Sequence, residues 1–310
     1  MIIIPLTTLA LIAFAANSVL SRLALGSELI DASSFTSIRL FSGAITLYAL
    51  IKLYLPPRVH SQSCDYQSCD YQSNDFQSCD FQSNDSQSYH SQNRQKGSWK
   101  AGILLFVYAV TFSFGYLSLD TATGALILFG SVQATMLINS LLSGNKVTRN
   151  EIWGMIIAFS GFLYLVLPNV DTPSLFGFGL MMVSGVAWGM YTINGRSSKQ
   201  PLIDTGFNFI RTLPFAVILF LLSLHQAHYT LQGILLACAS GSLASGVGYA
   251  IWYYVLPKLS VIRAASLQLL VPVLSAVGGV LFMSENITMH FVMSSALILG
   301  GIMIVLKAKE

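Results

Sequence analysis

The sequence predicts an all-α transmembrane protein of ten helices, arranged as two inverted five-helix repeats, with a disordered pentapeptide-repeat loop between helices 2 and 3. Three observations lead there. The 310 residues are 54% apolar and only 9% charged, with a mean hydropathy of +0.65, whereas a soluble domain carries about a quarter charged residues. Apolar runs of roughly 20 residues recur, long enough to cross a hydrocarbon core of about 30 Å. Residues 263–306 also echo 123–166 without gaps: Asn145 falls under Glu285, Val147 under Ile287, Thr148 under Thr288 and Gly161 under Gly301. Two echoing hydrophobic halves are the sequence sign of internal repeats.

The apolar runs are 2–21, 34–55, 101–119, 122–142, 152–168, 175–194, 206–224, 231–253, 261–283 and 287–306. Each is expected to be helical, because backbone N–H and C=O groups in lipid must pair within their own segment. The first run lacks a basic leader region and reads as an uncleaved span. Lys and Arg then set the orientation. Lys52, Arg58, Arg94, Lys96 and Lys100 flank the long loop, Lys146 and Arg149 follow span four, and Arg196 and Lys199 follow span six. Lys258 and Arg263 follow span eight, and Lys307 and Lys309 end the chain. The alternate loops carry Asp120, Asp171, His225, His228 and Glu285, with Arg22 the one basic residue on that side. Both termini are therefore expected on the cytoplasmic side of the cell inner (plasma) membrane.

Five spans per half is an odd number, so the second half must enter the membrane with the opposite orientation. The halves are placed at 1–168 and 170–310. Residues 14–22 (FAANSVLSR) match 188–196 (WGMYTINGR), and 35–39 (FTSIR) match 207–211 (FNFIR).

Residues 60–93 interrupt the first half with SQSCD, YQSCD, YQSND, FQSCD, FQSND and SQSYH. Rich in Ser, Gln and Asp and poor in aliphatic residues, this tract cannot bury enough surface to fold alone. Its cysteines, Cys64, Cys69 and Cys79, follow the repeat rather than a metal-ligand spacing, and Cys238 lies in an apolar run. No disulfide framework, metal site or cofactor is expected.

With these residues in view, the chain resembles the EamA-type permeases of the drug/metabolite transporter superfamily. The resemblance runs through Tyr249-Ala250-Ile251-Trp252, Pro272-Val273-Leu274, Glu285-Asn286-Ile287-Thr288 and Gly300-Gly301, with Trp188-Gly189 and the Arg39/Arg211 pair. It covers nearly the whole chain outside 60–93. The first half departs from the family pattern: Val132 or Gln133 stands where a proline is usual, Asn145 replaces a glutamate, and Phe14 stands where a tryptophan is common. The resemblance implies an alternating-access carrier with a central cavity, often an exporter of metabolites or amino acids.

Arg39 and Arg211 are the sharpest candidates for solute contact. An Arg at a span centre costs about 2.5–3.5 kcal/mol on insertion scales, and each Leu or Ile returns about 0.3–0.6. Such a residue is retained for orienting the cavity or meeting an anionic group, although Arg39, near its helix start, can also snorkel. Asn17, Gln133, Tyr191, Asn208, Trp252 and Gln268 are further candidates, with helix-to-helix hydrogen bonding the alternative for each. Trp188, Tyr249, Trp252 and Tyr253 are also compatible with an interfacial aromatic belt. Pro214 and Pro272 are candidate helix breaks. Small residues at Gly185/Gly189, Gly241/Ser245, Ala244/Gly248 and Gly278-Gly279 suit close packing.

No Asp or Glu falls inside an expected span, so the carboxylate relay usual for proton coupling is missing. A neutral-to-positive cavity favours zwitterionic or anionic solutes and a facilitator or exchanger. Paired carboxylates, a nucleophile with a base, or a metal cluster would mark an enzyme; none is visible, and no catalytic residue is expected. Expected partners are a small-molecule solute and membrane lipids, with a homodimer left open and no nucleic acid. Two alternatives stay beside the carrier: a scaffold using the repeat tract, and a carrier of sugar nucleotides or phosphorylated sugars.

Overall fold

The computed structural model describes residues 3–54, 97–144, 148–166, 175–283 and 289–307. The repeat tract, Lys146, Asp171, Glu285 and Lys309 lie outside the described residues. Most of the described chain is helical, and an isolated bridge between Ile30 and Tyr229 is the sole β pairing among the described residues. The helices are α1 (Ile3–Gly26), α2 (Ala32–Tyr54), α3 (Trp99–Gly115), α4 (Thr121–Leu142), α5 (Arg149–Val166) and α6 (Leu175–Arg196). They continue as α7 (Pro201–Leu222), α8 (Leu231–Ala239), a π-helical segment (Ser240–Val247), α9 (Gly248–Val255), α10 (Val261–Gln268), α11 (Leu270–Met283) and α12 (Met289–Lys307). Seven helices among the described residues are long and apolar enough to cross a membrane, with α8 to α9 counted as one and α10 to α11 as another. The apolar helices Trp99–Gly115 and Val292–Val305 are shorter.

Polar residues at the helix starts explain several boundaries. Ser98, Thr230 and Ser260 each accept a backbone N–H three residues on, at 3.3, 3.1 and 3.2 Å. At α5 a reciprocal capping box forms: the Glu151 N–H donates to Thr148 Oγ1 at 3.2 Å, and the Thr148 N–H donates to Glu151 Oε2 at 2.9 Å. Asp204 occupies the first turn of α7, which begins earlier than the apolar run does. Thus two carboxylates enter helices after all, but at N-terminal turns, where the helix dipole favours them.

The two candidate prolines behave differently. Pro272 has no N–H to offer the Gln268 carbonyl, and the helix breaks there: α10 ends at Gln268 and α11 begins at Leu270. The Leu269 N–H turns instead to the Ser266 carbonyl at 3.1 Å. Pro214 leaves α7 continuous. An irregularity the composition did not announce is the π-helical segment, in a Gly/Ser-rich stretch of a longer helix.

Pairing of helices follows small residues. α5 packs on α12, α2 on α7, α3 and α4 on α6, and α1 on α9 and α11; α2 also meets α8 and the π segment, and α3 meets α7. A Cβ on Gly185 would lie 2.3 Å from the Leu128 carbonyl oxygen, so only glycine lets α6 approach α4 this closely. Gly154 faces the Gly301 carbonyl in the same way (2.8 Å) and Gly161 the Ser294 carbonyl (3.0 Å). Ile45, Ile218, Leu221, Leu235 and Leu243 are more than half exposed, as side chains facing lipid would be.

At one end of the bundle, the Gly97 N–H donates to Asp204 Oδ1 at 3.0 Å and Arg196 Nε donates to the Leu259 carbonyl at 3.1 Å. At the other, the Asp31 N–H donates to the His228 carbonyl (2.9 Å) and the Thr230 N–H to the Leu29 carbonyl (2.8 Å). There Arg22 also meets Asp120 at 3.3 Å. Asp120 is largely exposed and Arg22 partly so, and such a pair is worth about 1 kcal/mol or less.

Candidate functional site

Arg39 sits two turns into α2 and is only 2% exposed. Its side chain does not snorkel to an end but turns into the bundle. Nη2 donates to the Tyr108 hydroxyl at 3.0 Å and to the Tyr249 hydroxyl at 3.4 Å, and Nε donates to Ser245 Oγ at 3.3 Å. The guanidinium carbon stands 4.8 Å from the Phe112 ring centroid and 5.3 Å from that of Tyr108. Nη1 has no hydrogen-bond partner among the described residues.

Local backbone explains why the charge arrives there. A Cβ on Gly241 would lie 2.2 Å from the Arg39 carbonyl oxygen, so the π segment touches α2 backbone to backbone. That contact brings Ser245 and Tyr249 to the guanidinium. Ser240, at the start of the same segment, donates from Oγ to Asn17 Oδ1, and Asn17 Nδ2 donates to the Tyr108 hydroxyl at 3.4 Å. The Tyr249 hydroxyl donates to that of Tyr108 at 3.1 Å. π-Bulges of this kind recur at functional sites because they re-aim side chains within a helix.

Burying a guanidinium costs several kcal/mol. Hydrogen bonds to a charged group return about 1.5–3 kcal/mol each, and cation–π contacts about 0.5–2. The hydroxyls and rings around Arg39 can therefore hold it. None of its hydrogen-bond partners is a carboxylate.

An aromatic box closes over this cluster. Trp188 lies 4.7 Å from Tyr249, 5.0 Å from Tyr108 and 5.5 Å from Phe14, centroid to centroid. Trp252 stands 5.6 Å from Phe14, and Tyr191 stands 5.3 Å from Tyr253. Trp188, Tyr249, Trp252 and Tyr253 are all buried, so the belt alternative does not hold for them. The enclosed cavity, walled by Asn17, Ser18, Tyr108, Trp188 and Tyr249 among others, measures about 10 Å³, the space of roughly one water.

The other candidates divide by place. Asn17 joins the Arg39 cluster directly. Tyr191 and Trp252 belong to the aromatic box, and the Trp252 indole N–H has no hydrogen-bond partner among the described residues. Gln268 is held at the α10–α11 break, where Oε1 accepts from Trp188 Nε1 at 2.9 Å and Nε2 donates to the Ala264 carbonyl at 3.3 Å. Gln133 is buried in α4, and its Oε1 has no partner among the described residues. Arg211 is not brought to Arg39: its guanidinium lies over Trp99, 5.6 Å from the ring centroid, and Trp99 precedes Tyr108 by about 14 Å along α3. Asn208 stands nearby, accepting the Ser98 N–H at Oδ1 (2.9 Å) and donating from Nδ2 to the Tyr191 hydroxyl at 3.4 Å.

Asn208 and Tyr191 border a second space, a polar vestibule of about 360 Å³ walled also by Lys100, Asn194, Ser198 and Asp204. Tyr191 thus stands between the vestibule and the aromatic box. A larger groove of about 730 Å³, beside Leu50, Tyr54, Ile203, Ile251 and Tyr254, is nearly all apolar; its walls suit acyl chains, and Arg39 does not border it. Tyr108 and Phe112 were not among the sequence candidates, and Ser245 was read there as a small packing residue. A mid-span tyrosine in an otherwise apolar run was the available signal for Tyr108.

Spanning-length apolar helices, with polar groups gathered around a closed interior cluster, define a multi-pass membrane protein of the kind to which carriers belong. Residues 175–307 match the EamA-like transporter family. An uncharacterised protein of Pseudomonas aeruginosa is 40% identical over 98% of this chain and 94% of its own length. A probable amino-acid metabolite efflux pump of Salmonella typhimurium is 23% identical over 65% of this chain and 75% of its own. A solved crystal structure superposes with a TM-score of 0.67 at 17% identity, covering 98% of this chain and 99% of that one, and shares the fold. The chain belongs to the EamA-like transporter family, the EamA-type permeases of the drug/metabolite transporter superfamily, and is a membrane transporter.

Proposed function

We propose that the protein is an inner-membrane efflux carrier of small zwitterionic or anionic metabolites, amino acids among them. It works by alternating access between two inverted five-span halves, 1–168 and 170–310, with both termini cytoplasmic. The observation that carries this reading is the placement of Arg39: a buried cation from the first half bonded to Tyr108 of that half and to Ser245 and Tyr249 of the other. A solute held there touches both halves and senses their relative motion. The Salmonella relative's description as an amino-acid metabolite efflux pump points the same way.

Exchanged contacts support the two halves. The ungapped offset that sets Gly161 under Gly301 also sets Gly154 under Ser294. Gly154 meets Gly301, and Gly161 meets Ser294, as a two-fold relation requires. Tyr108 and Tyr249, 141 residues apart, meet at their hydroxyls, one residue off the same offset. The helix partners exchange likewise: α3 with α6 answers α1 with α9, and α4 with α6 answers α1 with α11.

Substrate contact is assigned to Arg39, Asn17, Tyr191 and Trp252 around the box, to Gln133 and Gln268 as supports from α4 and α10, and to Asn208 and Arg211 at the vestibule. Proteoliposomes loaded with radiolabelled amino acids test the reading. Export of at least one amino acid is expected with or without a proton gradient, because no carboxylate bonds to Arg39. Deleting 60–93 is expected to leave that export within about twofold. Steep gradient dependence contradicts the facilitator form, and loss of function on the deletion favours a scaffold.

A further inference from the structure

We propose that the guanidinium of Arg39, through its unbonded Nη1, binds the carboxylate of the transported solute, so that the carrier selects acids over their amides. The inference rests on the carrier reading and specifies its substrate class. Three observations carry it.

Nη1 brings two N–H donors into a residue that is 2% exposed, and neither meets an acceptor among the described residues. Every oxygen that does bond the guanidinium is a hydroxyl: Tyr108, Tyr249 and Ser245. Each hydroxyl that accepts also brings a proton of its own; that of Tyr249 goes to the Tyr108 hydroxyl, itself already an acceptor for Arg39 and Asn17. The cluster is therefore rich in donors and carries one full positive charge, with no ion-pair partner for it among the described residues. Asn17 adds to the surplus, since its Oδ1 is taken by Ser240 and its amide donates to Tyr108. A carboxylate has two oxygens and about four acceptor sites, the complement of this set.

The position suits a solute rather than a fixed structural ion. Tyr108, Phe112 and Tyr249, which contact the guanidinium, are also walls of the central cavity. The Tyr108–Tyr249 hydroxyl bond joins α3 to α9, helices assigned to different halves. Separation of those halves opens that bond and exposes the unbonded edge of Arg39 to the widened cavity. The π segment carries Ser245 and leads into Tyr249, so it lies at that seam.

The test uses the purified full chain in detergent and thermal unfolding as readout. Probes are alanine, leucine, lactate and acetate, each beside its amide, with sodium chloride as a separate arm. At least one acid is expected to raise Tm by about 2 °C or more at saturation, its amide by under a quarter of that, and Arg39→Gln to abolish the difference. Arg39→Lys, which keeps charge without the fork, is expected to retain part of it. Equal shifts from acid and amide, no shift from any acid, or a difference that survives Arg39→Gln overturns the proposal. A chloride shift that depends on Arg39, with none from the acids, also overturns it and assigns the cluster to an inorganic ion. The acid–amide comparison needs no variant, so a misfolded mutant does not blunt it. Export from proteoliposomes is scored separately: export without acid–amide discrimination removes this inference and leaves the carrier standing.

Discussion

Exchanging Gly241 for valine is expected to lower the thermal midpoint by about 2–12 °C or to prevent accumulation of folded protein. The reason is steric and local. A Cβ there would sit 2.2 Å from the Arg39 carbonyl oxygen and in contact with Ser42 Oγ, and the backbone of α2 cannot swing aside as a flexible side chain does. Overpacking in a tight core costs about 1–3 kcal/mol and sometimes more, and for a chain this large each kcal/mol moves Tm by about 2–4 °C. The control is Gly179→Ala, where an added Cβ meets nothing within 4 Å; its stability is expected to hold or to rise by up to about 1 kcal/mol, because alanine favours a helix over glycine. Thermal unfolding followed by fluorescence size-exclusion decides the matter. Equal behaviour of the two variants would mean that the π segment and α2 do not touch as described.

Arg39→Met is expected to separate function from stability. Solute export should fall at least 30-fold, because losing a buried, hydrogen-bonded charge contact costs about 2–5 kcal/mol of binding, and about 1.4 kcal/mol is tenfold. The midpoint should stay level or rise, since replacing a buried ion by an apolar side chain of similar volume is often neutral or stabilising. Initial export rates at subsaturating solute, set beside Tm, check both halves of the statement. A fall in both quantities would make Arg39 a structural anchor.

Much of the fold was legible because membrane insertion enforces it. Every apolar run is occupied by helix among the described residues, and Gly185, Gly241 and Gly248 pack closely, as small residues do when apolar contact alone does not drive association. Arg39 was legible for the same reason: its cost in an apolar span is large enough to need a purpose. Its partners were not. Tyr108 and Tyr249 are apolar rings for most of their length, and only the position of α3 against α9 turns their hydroxyls into acceptors for a guanidinium. Ser245 depends on the π register, which adds a residue to one turn and leaves no periodic trace over so short a segment. Arg211, the sequence match of Arg39, lies over Trp99 instead, beside the vestibule where the Ser98 and Gly97 N–H groups donate to Asn208 and Asp204. Pro272 and Pro214 look alike in sequence, yet only Pro272 stands at a helix break.

The central claim is that one cluster, around Arg39, faces each side of the membrane in turn. Cysteine placed at Ser18, in the wall of the closed cavity, on a background lacking Cys64, Cys69, Cys79 and Cys238, reports this directly. A membrane-impermeant thiol reagent applied to right-side-out or inverted vesicles is expected to label that cysteine from both faces, with transported solute slowing the reaction. Labelling from one face alone, or at a rate no solute alters, would contradict the account.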